Sequence, residues 1–90
     1  MTLKEIASRI DAHLKRFEAD PKINKTKRTG GMKLSRFYNA GSTDSGRYVY
    51  VCYVAYQGNS HLSKSEGTRY LAWLDAGNVG THRQALRAKS

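Results

Sequence analysis

Six lysine and arginine residues follow one another between positions 21 and 36 with no acidic residue among them. They are Lys22, Lys25, Lys27, Arg28, Lys33 and Arg36. Contacts with the phosphates of a nucleic acid require cationic side chains that no neighbouring acid has already neutralised. The segment therefore predicts a phosphate-binding surface. The alternative is a solvated, solubilising loop, because runs of like charge often have no other role.

A second basic region closes the chain, and one more arginine precedes the tyrosine-rich segment. The residues concerned are Arg83, Arg87 and Lys89, with no acid in the 82–90 tail, and Arg47. Sixteen Lys and Arg stand against seven Asp and Glu, which gives a net charge of +9. Such a field attracts polyanions, so nucleic acid is the first partner to consider.

Tyrosines alternate through the most strand-like part of the chain. Tyr48, Tyr50 and Tyr56 would share one face of a strand, and Tyr38 would join them from a neighbouring strand. Such a row is a stacking platform for unpaired bases. The alternative is that these tyrosines are packing residues, since Tyr is a common strand former.

Residues suited to acid-base or metal chemistry are scattered. His13, His61 and His82 fall on a helix, a turn and the tail, with none of the spacings typical of a zinc site. A basic ribonuclease would need His61 or His82 with Glu66 or Asp75, but Glu66 suits a helix cap and Asp75 a helix end. We therefore expect a protein that is not an enzyme, with no cofactor and no metal.

Length and composition set the class of protein. Ninety residues suit one small domain, spanning 1–90, and no apolar run approaches the roughly 20 residues of a membrane helix. The start of the chain carries no signal-peptide pattern, and the single cysteine, Cys52, excludes an internal disulfide. The expectation is a cytoplasmic protein without a membrane partner.

The first structural element is an amphipathic helix over about 3–19. Apolar residues recur every three or four positions, at Leu3, Ile6, Ala7, Ile10, Leu14 and Phe17. Thr2 and Glu5 form a capping box, and Asp20-Pro21 provides the stop. A mobile basic loop is predicted to follow at about 21–31.

A β-hairpin is predicted next, with strands at 32–39 and 47–57 joined by a turn at 40–46. On the second strand, Val49 and Val51 share one face and Tyr48 and Tyr50 the other. Both faces are fairly apolar. The valine face is expected to pack on the helices, because aliphatic residues need burial more than phenols do.

Gly58-Asn59 then predicts a tight turn, with a short third strand at 60–62. Ser63 and Glu66 form a second capping box for a helix that ends at Gly77, within which Gly67 is a weak point. Thr81 is expected to cap a last helix from His82 to Lys89. The order α-β-β-(β)-α-(α) is that of an α+β fold.

Two resemblances bear on function. The small α+β chain with a capped helix after a strand, Ser63-Lys64-Ser65-Glu66 followed by Tyr70-Leu71-Ala72-Trp73-Leu74, resembles small phage-encoded anti-CRISPR proteins. This resemblance is one of architecture and implies an inhibitor of a host defence protein or nucleoprotein complex. The helix–hairpin–helix order with Ser63-Lys64-Ser65 also resembles double-stranded RNA-binding domains. The short third strand and the single lysine before Glu66 depart from that family's pattern.

Two functions remain open from the sequence. One is a non-enzymatic protein that binds nucleic acid through phosphate contacts. The other is a phage-type inhibitor that docks on a host protein or nucleoprotein complex and blocks its nucleic-acid binding or nuclease step. A homodimer is also open, because a small sheet leaves an edge strand free to pair.

Overall fold

The computed structural model describes residues 1–20, 38–43, 46–53 and 58–89 of the chain. Helices and strands follow one another as α1 (Leu3–Ala19), β1 (Tyr38–Ser42), β2 (Val49–Tyr53), β3 (Gly58–Leu62), α2 (Lys64–Asp75) and α3 (His82–Lys89). This order confirms the predicted α+β fold. The predicted loop at 21–31 lies outside the described residues.

Helix α1 has the predicted bounds because its first turn is closed by side chains. The Thr2 hydroxyl accepts a hydrogen bond from the Glu5 N–H at 3.1 Å, and the Glu5 carboxylate accepts one from the Thr2 N–H at 2.7 Å. Both amides would otherwise lack a partner within the helix. At the other end, Asp20 is extended and follows the last helical residue, Ala19.

One hydrophobic core joins the three helices to the sheet. Five α1 residues of the predicted stripe are buried, and they meet apolar side chains from β2, β3, α2 and α3. The core consists of Ile6, Ala7, Ile10, Leu14, Phe17, Val49, Val51, Leu62, Tyr70, Leu71, Leu74 and Ala85.

The sheet is antiparallel in the order β1-β2-β3. Val49 and Val51 are both 0% exposed, which confirms that the valine face packs on the helices. Because side chains alternate along a strand, Tyr50 and Cys52 lie on the opposite face.

The structure confirms the predicted first strand at residues 38–39, but the turn predicted at 40–46 begins too early, because residues 40–42 are also strand. Strand β1 starts at Tyr38 and continues through Ala40-Gly41-Ser42, which pair with β2. The Asp11 carboxylate on α1 also accepts a hydrogen bond from the Ala40 N–H at 2.8 Å. These non-local contacts override the turn preference of small polar residues. Residues 32–37 lie outside the described part.

The predicted turn at Gly58-Asn59 was also wrong. These two residues begin β3, where they pair with Tyr53 and Cys52. The third strand therefore has five residues, as many as β1 and β2. Strand β2 is shorter than the predicted 47–57, since it begins at Val49, and positions 54–57 are not among the described residues.

Helix α2 is capped at both ends. The Ser63 hydroxyl accepts from the Glu66 N–H at 3.2 Å and the Glu66 carboxylate from the Ser63 N–H at 2.9 Å, which confirms the second capping box. After the helix, Gly77 has a φ of 100°, a left-handed conformation that only glycine adopts easily. The predicted inner residues, including Tyr70, are buried.

The loop to α3 is held by the buried Tyr70. Its hydroxyl donates a hydrogen bond to the Gly80 carbonyl at 2.7 Å. The side chain of Gln84 accepts from the Thr81 N–H at 2.7 Å, and the helix then runs over the predicted range, His82 to Lys89. A short helix thus starts at a fixed position against α2.

Gly67 is a point of close approach between α2 and the rest of the core. A Cβ atom on Gly67 would lie 3.1 Å from Val49 Cγ2 and 3.3 Å from Ile6 Cγ2. The sequence indicated only that glycine would weaken the helix. The structure shows that its missing side chain lets α2 pack directly on α1 and β2.

We predict that Gly67→Leu lowers the free energy of unfolding by about 1–3 kcal/mol, because the larger side chain overpacks this contact. Ala72→Leu is the matched control, since Ala72 is exposed on the same helix and such a change alters stability by only about 0.5 kcal/mol. Urea unfolding measures both. Equal stability of the two variants would contradict the close contact.

Candidate nucleic-acid interface

Of the residues predicted to bind nucleic acid, Tyr56 lies outside the described part of the chain and Tyr38 begins β1. Six of the predicted cations also lie outside it. These are Lys22, Lys25, Lys27, Arg28, Lys33 and Arg36. The structure describes the remaining predicted residues in two places. Arg47, Tyr48 and Tyr50 lie at the β1–β2 end of the sheet and on β2, whereas Arg83, Arg87 and Lys89 lie on α3.

The connection between β1 and β2 fixes the position of Arg47 and Tyr48. The Thr43 N–H donates to the Tyr48 carbonyl at 3.0 Å, and the Gly46 N–H donates to the Thr43 carbonyl at 2.9 Å. Gly46 has a φ of 71°, which favours glycine at this turn. Arg47 is exposed and Tyr48 is 44% exposed, so both are accessible beside the sheet.

Three aromatic side chains form a cluster on the sheet, which we call the Tyr48–His61–Tyr50 cluster. The ring centres of Tyr48 and His61 are 6.1 Å apart with a 75° angle between the planes. Those of Tyr50 and His61 are 5.2 Å apart with an angle of 55°. His61 lies opposite Tyr50 in the register of β2 and β3.

The contact of His61 with the tyrosines was not predicted from the sequence. His61 was considered for metal binding and for nuclease chemistry, and the register of the third strand was unknown. The signal that identifies the cluster is the pairing of Tyr50 with His61, which depends on contacts between strands.

Tyr50 is half-buried, between its neighbours on the sheet. Burial raises the pKa of the Tyr50 hydroxyl above its ordinary value, and the Cys52 side chain beside it raises it further. Tyr50 is therefore a neutral phenol at physiological pH. Cys52 is a half-buried free thiol on the same face.

The acidic residues of the described part are committed to contacts within the protein. Glu5 and Glu66 accept backbone hydrogen bonds in the two capping boxes. The pKa of Glu5 is lowered, first by its hydrogen bond with the Thr2 backbone. Glu18 and Asp20 also have interaction partners.

Asp11 connects α1 to the edge strand β1. One carboxylate oxygen accepts the hydrogen bond from the Ala40 N–H, and the other lies 3.1 Å from Lys15 Nζ, one turn further along the helix. The charge of Lys15 is therefore already matched.

Asp75 connects the end of α2 to α1. Its two carboxylate oxygens are each 2.8 Å from a partner, Arg9 Nη2 and His13 Nε2. Arg16 donates to His13 Nδ1. Because arginine can only donate, this arrangement has His13 accepting at Nδ1 and donating from Nε2 to Asp75. The pKa of Asp75 is lowered by the His13 hydrogen bond and by the charge of Arg9.

This arrangement was not predicted from the sequence. The sequence placed His13 on the first helix and Asp75 at the end of a later helix, and the two are 62 positions apart. A shallow cavity of about 290 Å³ opens beside them, lined by Arg9, Ala12, His13 and Arg16.

Several cations, in contrast, form no ion pair with any acid that the structure describes. All are exposed: Lys4, Arg47, Lys64, Arg69, Arg83 and Arg87. On helix α3, Arg83 and Arg87 lie one turn apart and therefore on one face. The chain thus uses its described acids internally and leaves these positive charges at the surface.

The residues considered for nuclease chemistry do not form one site. His61 is on the sheet face, whereas His82 is buried beside Tyr70, with ring centres 6.3 Å apart. Burial lowers the pKa of His82, the charge of Arg83 lowers it further, and Glu66 opposes them. Asp75 is bound to α1.

Within the described ranges, no three His, Cys, Asp or Glu residues are grouped as a metal site requires. No helix in the same ranges is long and apolar enough to cross a membrane.

Comparisons with known protein families, with curated proteins and with solved structures found no match. Function is therefore inferred from the geometry and the charges of the chain itself.

We predict that stability falls as the pH is lowered through about 6.5, where the histidines of the unfolded chain take up protons. The folded chain resists protonation of His82, whose pKa is lowered, so the unfolded state gains relative stability. Urea unfolding between pH 7.5 and 5.5 should show this fall in the wild type and a smaller one in His82→Gln.

His61→Gln is the control for that measurement, because it removes an exposed histidine. It should keep the dependence of the wild type. The same pH dependence in His82→Gln as in the wild type would contradict the role of His82.

Proposed function

We propose that this chain is a non-enzymatic cytoplasmic protein that binds nucleic acid through contacts with phosphates. The observation that carries the proposal is the division of charge in the described residues. Every acid there has a partner within the protein. The exposed lysines and arginines described on the β1–β2 turn, α2 and α3 form no ion pair with these acids, so their donors are available to a polyanion.

Four of these cations are carried by helices. Lys64 follows the N-cap of α2, Arg69 lies on the exposed side of that helix, and α3 adds Arg83 and Arg87. Helix α3 is fixed to α2 through the Tyr70 hydrogen bond with Gly80. A rigid set of positive charges costs less conformational entropy on binding than the same charges on mobile segments.

The resemblance to small phage-encoded anti-CRISPR proteins supports the alternative function, an inhibitor that docks on a host protein or nucleoprotein complex. Such docking would use large aromatic anchors, and Trp73 and Tyr70 on the capped helix are of that type. Tyr70 is 0% exposed, and Trp73 is half-buried against the core. Because the buried Tyr70 side chain is not accessible to a partner protein, we favour nucleic-acid binding over the inhibitor.

Of the two differences from double-stranded RNA-binding domains that the sequence indicated, the structure removes one and leaves the other. Strand β3 is as long as its neighbours, so the shortness expected from the sequence is no longer a difference. Lys64 is still the only lysine before Glu66 and Gly67. We therefore propose no transfer of that family's phosphate contacts to this helix.

We predict that affinity for an oligonucleotide falls linearly on a plot of log K against log salt concentration, because binding releases counterions. Arg83→Gln/Arg87→Gln should weaken binding and make the slope shallower by about 2, one for each lost phosphate contact. Fluorescence anisotropy at several salt concentrations measures both quantities.

The control variant is Arg9→Gln/Lys15→Gln, which removes the same charge from cations that are already paired with Asp75 and Asp11. Its slope should stay that of the wild type. Binding that is insensitive to salt, or an equal change of slope in both double variants, would refute phosphate contacts by the free arginines.

The basic segment outside the described residues is tested separately. Neutralising Lys25, Lys27 and Arg28 together should also lower affinity at low salt, because the sequence predicts that they contact phosphates. Unchanged affinity would show that this segment is solvated surface.

A pull-down from a bacterial lysate, with and without nuclease treatment, distinguishes the two functions. If the chain binds nucleic acid, the molecules that it captures should be lost when the lysate is treated with nuclease. A specific protein that stays bound after digestion would instead support the inhibitor.

A further inference from the structure

We propose that the outer face of the sheet binds unpaired bases, which stack on the Tyr48–His61–Tyr50 cluster, so that the nucleic acid bound there is single-stranded. This inference rests on the proposed function and specifies its ligand. It is carried by three observations: the exposure of the cluster, the orientation of its rings, and the free space and charge beside it.

The cluster is on the face of the sheet that the helices leave uncovered. Helices α1 and α2 pack on the side of Val49 and Val51, so the alternate residues of β2 point away from the core. Among the described residues, no helix packs on this outer face. Tyr48 is 44% exposed and His61 is exposed, and neither belongs to the hydrophobic core.

The rings contact one another mainly by their edges. An angle of 75° between Tyr48 and His61 is an edge-to-face arrangement, and the Tyr50–His61 pair is tilted at 55°. Edge contacts hold the rings in place without covering every ring face. A stacked base requires such a free ring face.

Free space adjoins the cluster on the side of β1. Gly41 lies opposite Tyr50 in the register of β1 and β2, and a Cβ placed on Gly41 would meet no atom of the described residues within 4 Å. Tyr50 thus lies between the exposed ring of His61 and an open strip over the backbone of Gly41. A flat base fits a strip of this kind, bounded by aromatic side chains.

Charge beside the cluster favours a nucleotide over a neutral aromatic ligand. Arg47 is exposed, directly precedes Tyr48, and forms no ion pair with a described acid. It is available for the phosphate of a base stacked on Tyr48. A duplex keeps its bases stacked on one another, so only a single strand, a loop or a frayed end presents base faces to this surface.

The test compares a single-stranded oligonucleotide with a hairpin duplex of the same length by fluorescence anisotropy. The wild type should bind the single strand more tightly. Tyr48→Ala and His61→Ala should each weaken single-strand binding by about 5- to 150-fold, the range for loss of one stacked base. Tyr48→Phe, which keeps the ring, should bind like the wild type.

Salt dependence separates stacking from charge. Tyr48→Ala should lower affinity without changing the slope of log K against log salt concentration, whereas Arg47→Gln should make the slope shallower by about 1. Gly41→Val should also weaken single-strand binding by filling the open strip, and a valine suits a strand, so the fold is kept.

Val79→Ala is the control, because Val79 is an exposed apolar residue in the loop between α2 and α3. It should leave affinity unchanged. Equal binding of single strand and duplex, with no effect of Tyr48→Ala, would overturn this inference and leave the proposed function standing. Failure to bind either oligonucleotide would overturn both.

Discussion

Burial of one face of a small sheet is the constraint on which the rest of this structure depends. Three five-residue strands have one apolar face to cover, and α1 and α2 cover it through Val49 and Val51. The missing side chain of Gly67 allows α2 to approach closely enough. Since side chains alternate along a strand, this packing also determines that Tyr50 and its neighbours face outward. The core and the candidate site are thus opposite faces of the same strands.

The second organising feature is the use of acidic side chains inside the fold. Glu5 and Glu66 cap helices, Asp11 connects α1 to β1, and Asp75 connects α2 to α1. These contacts satisfy backbone amides or orient neighbouring side chains. Their combined consequence is that positive charge predominates at the surface, which is the property from which we infer a polyanionic partner.

The parts of the fold that depend on local interactions could be predicted from the sequence. Both capping boxes join residues three positions apart, and the apolar stripe of α1 repeats every three or four positions, so α1 and the start of α2 were placed correctly. The choice of the valine face followed from the chemistry of side chains. The ends of the strands were harder to predict from the sequence, because some of their residues are held in a strand only by pairing with β2. These residues are Gly41, Ser42, Gly58 and Asn59.

In the candidate site, too, features that depend on nearby residues could be predicted and features that depend on distant contacts could not. Arg83 and Arg87 could be identified from charge alone, since the 82–90 tail holds no acidic residue, and Arg47 from its place before the tyrosine-rich segment. The place of His61 between Tyr48 and Tyr50 requires the strand register, and the contact of His13 with Asp75 requires the packing of two helices. Neither leaves a local signal. The charge of the surface is therefore predictable from the sequence, whereas part of its geometry depends on contacts between distant residues.

The central claim is that the unpaired arginines, and not the paired ones, contact a polyanion. The most direct measurement is an NMR titration of the chain with a single-stranded oligonucleotide, followed through the side-chain Nε–H signals of its arginines. We predict that the signals of Arg47, Arg83 and Arg87 shift on binding and return towards their free positions as salt is added, while that of Arg9, held by Asp75, stays in place. No shift of the unpaired arginines, or an equal shift of Arg9, would contradict the claim.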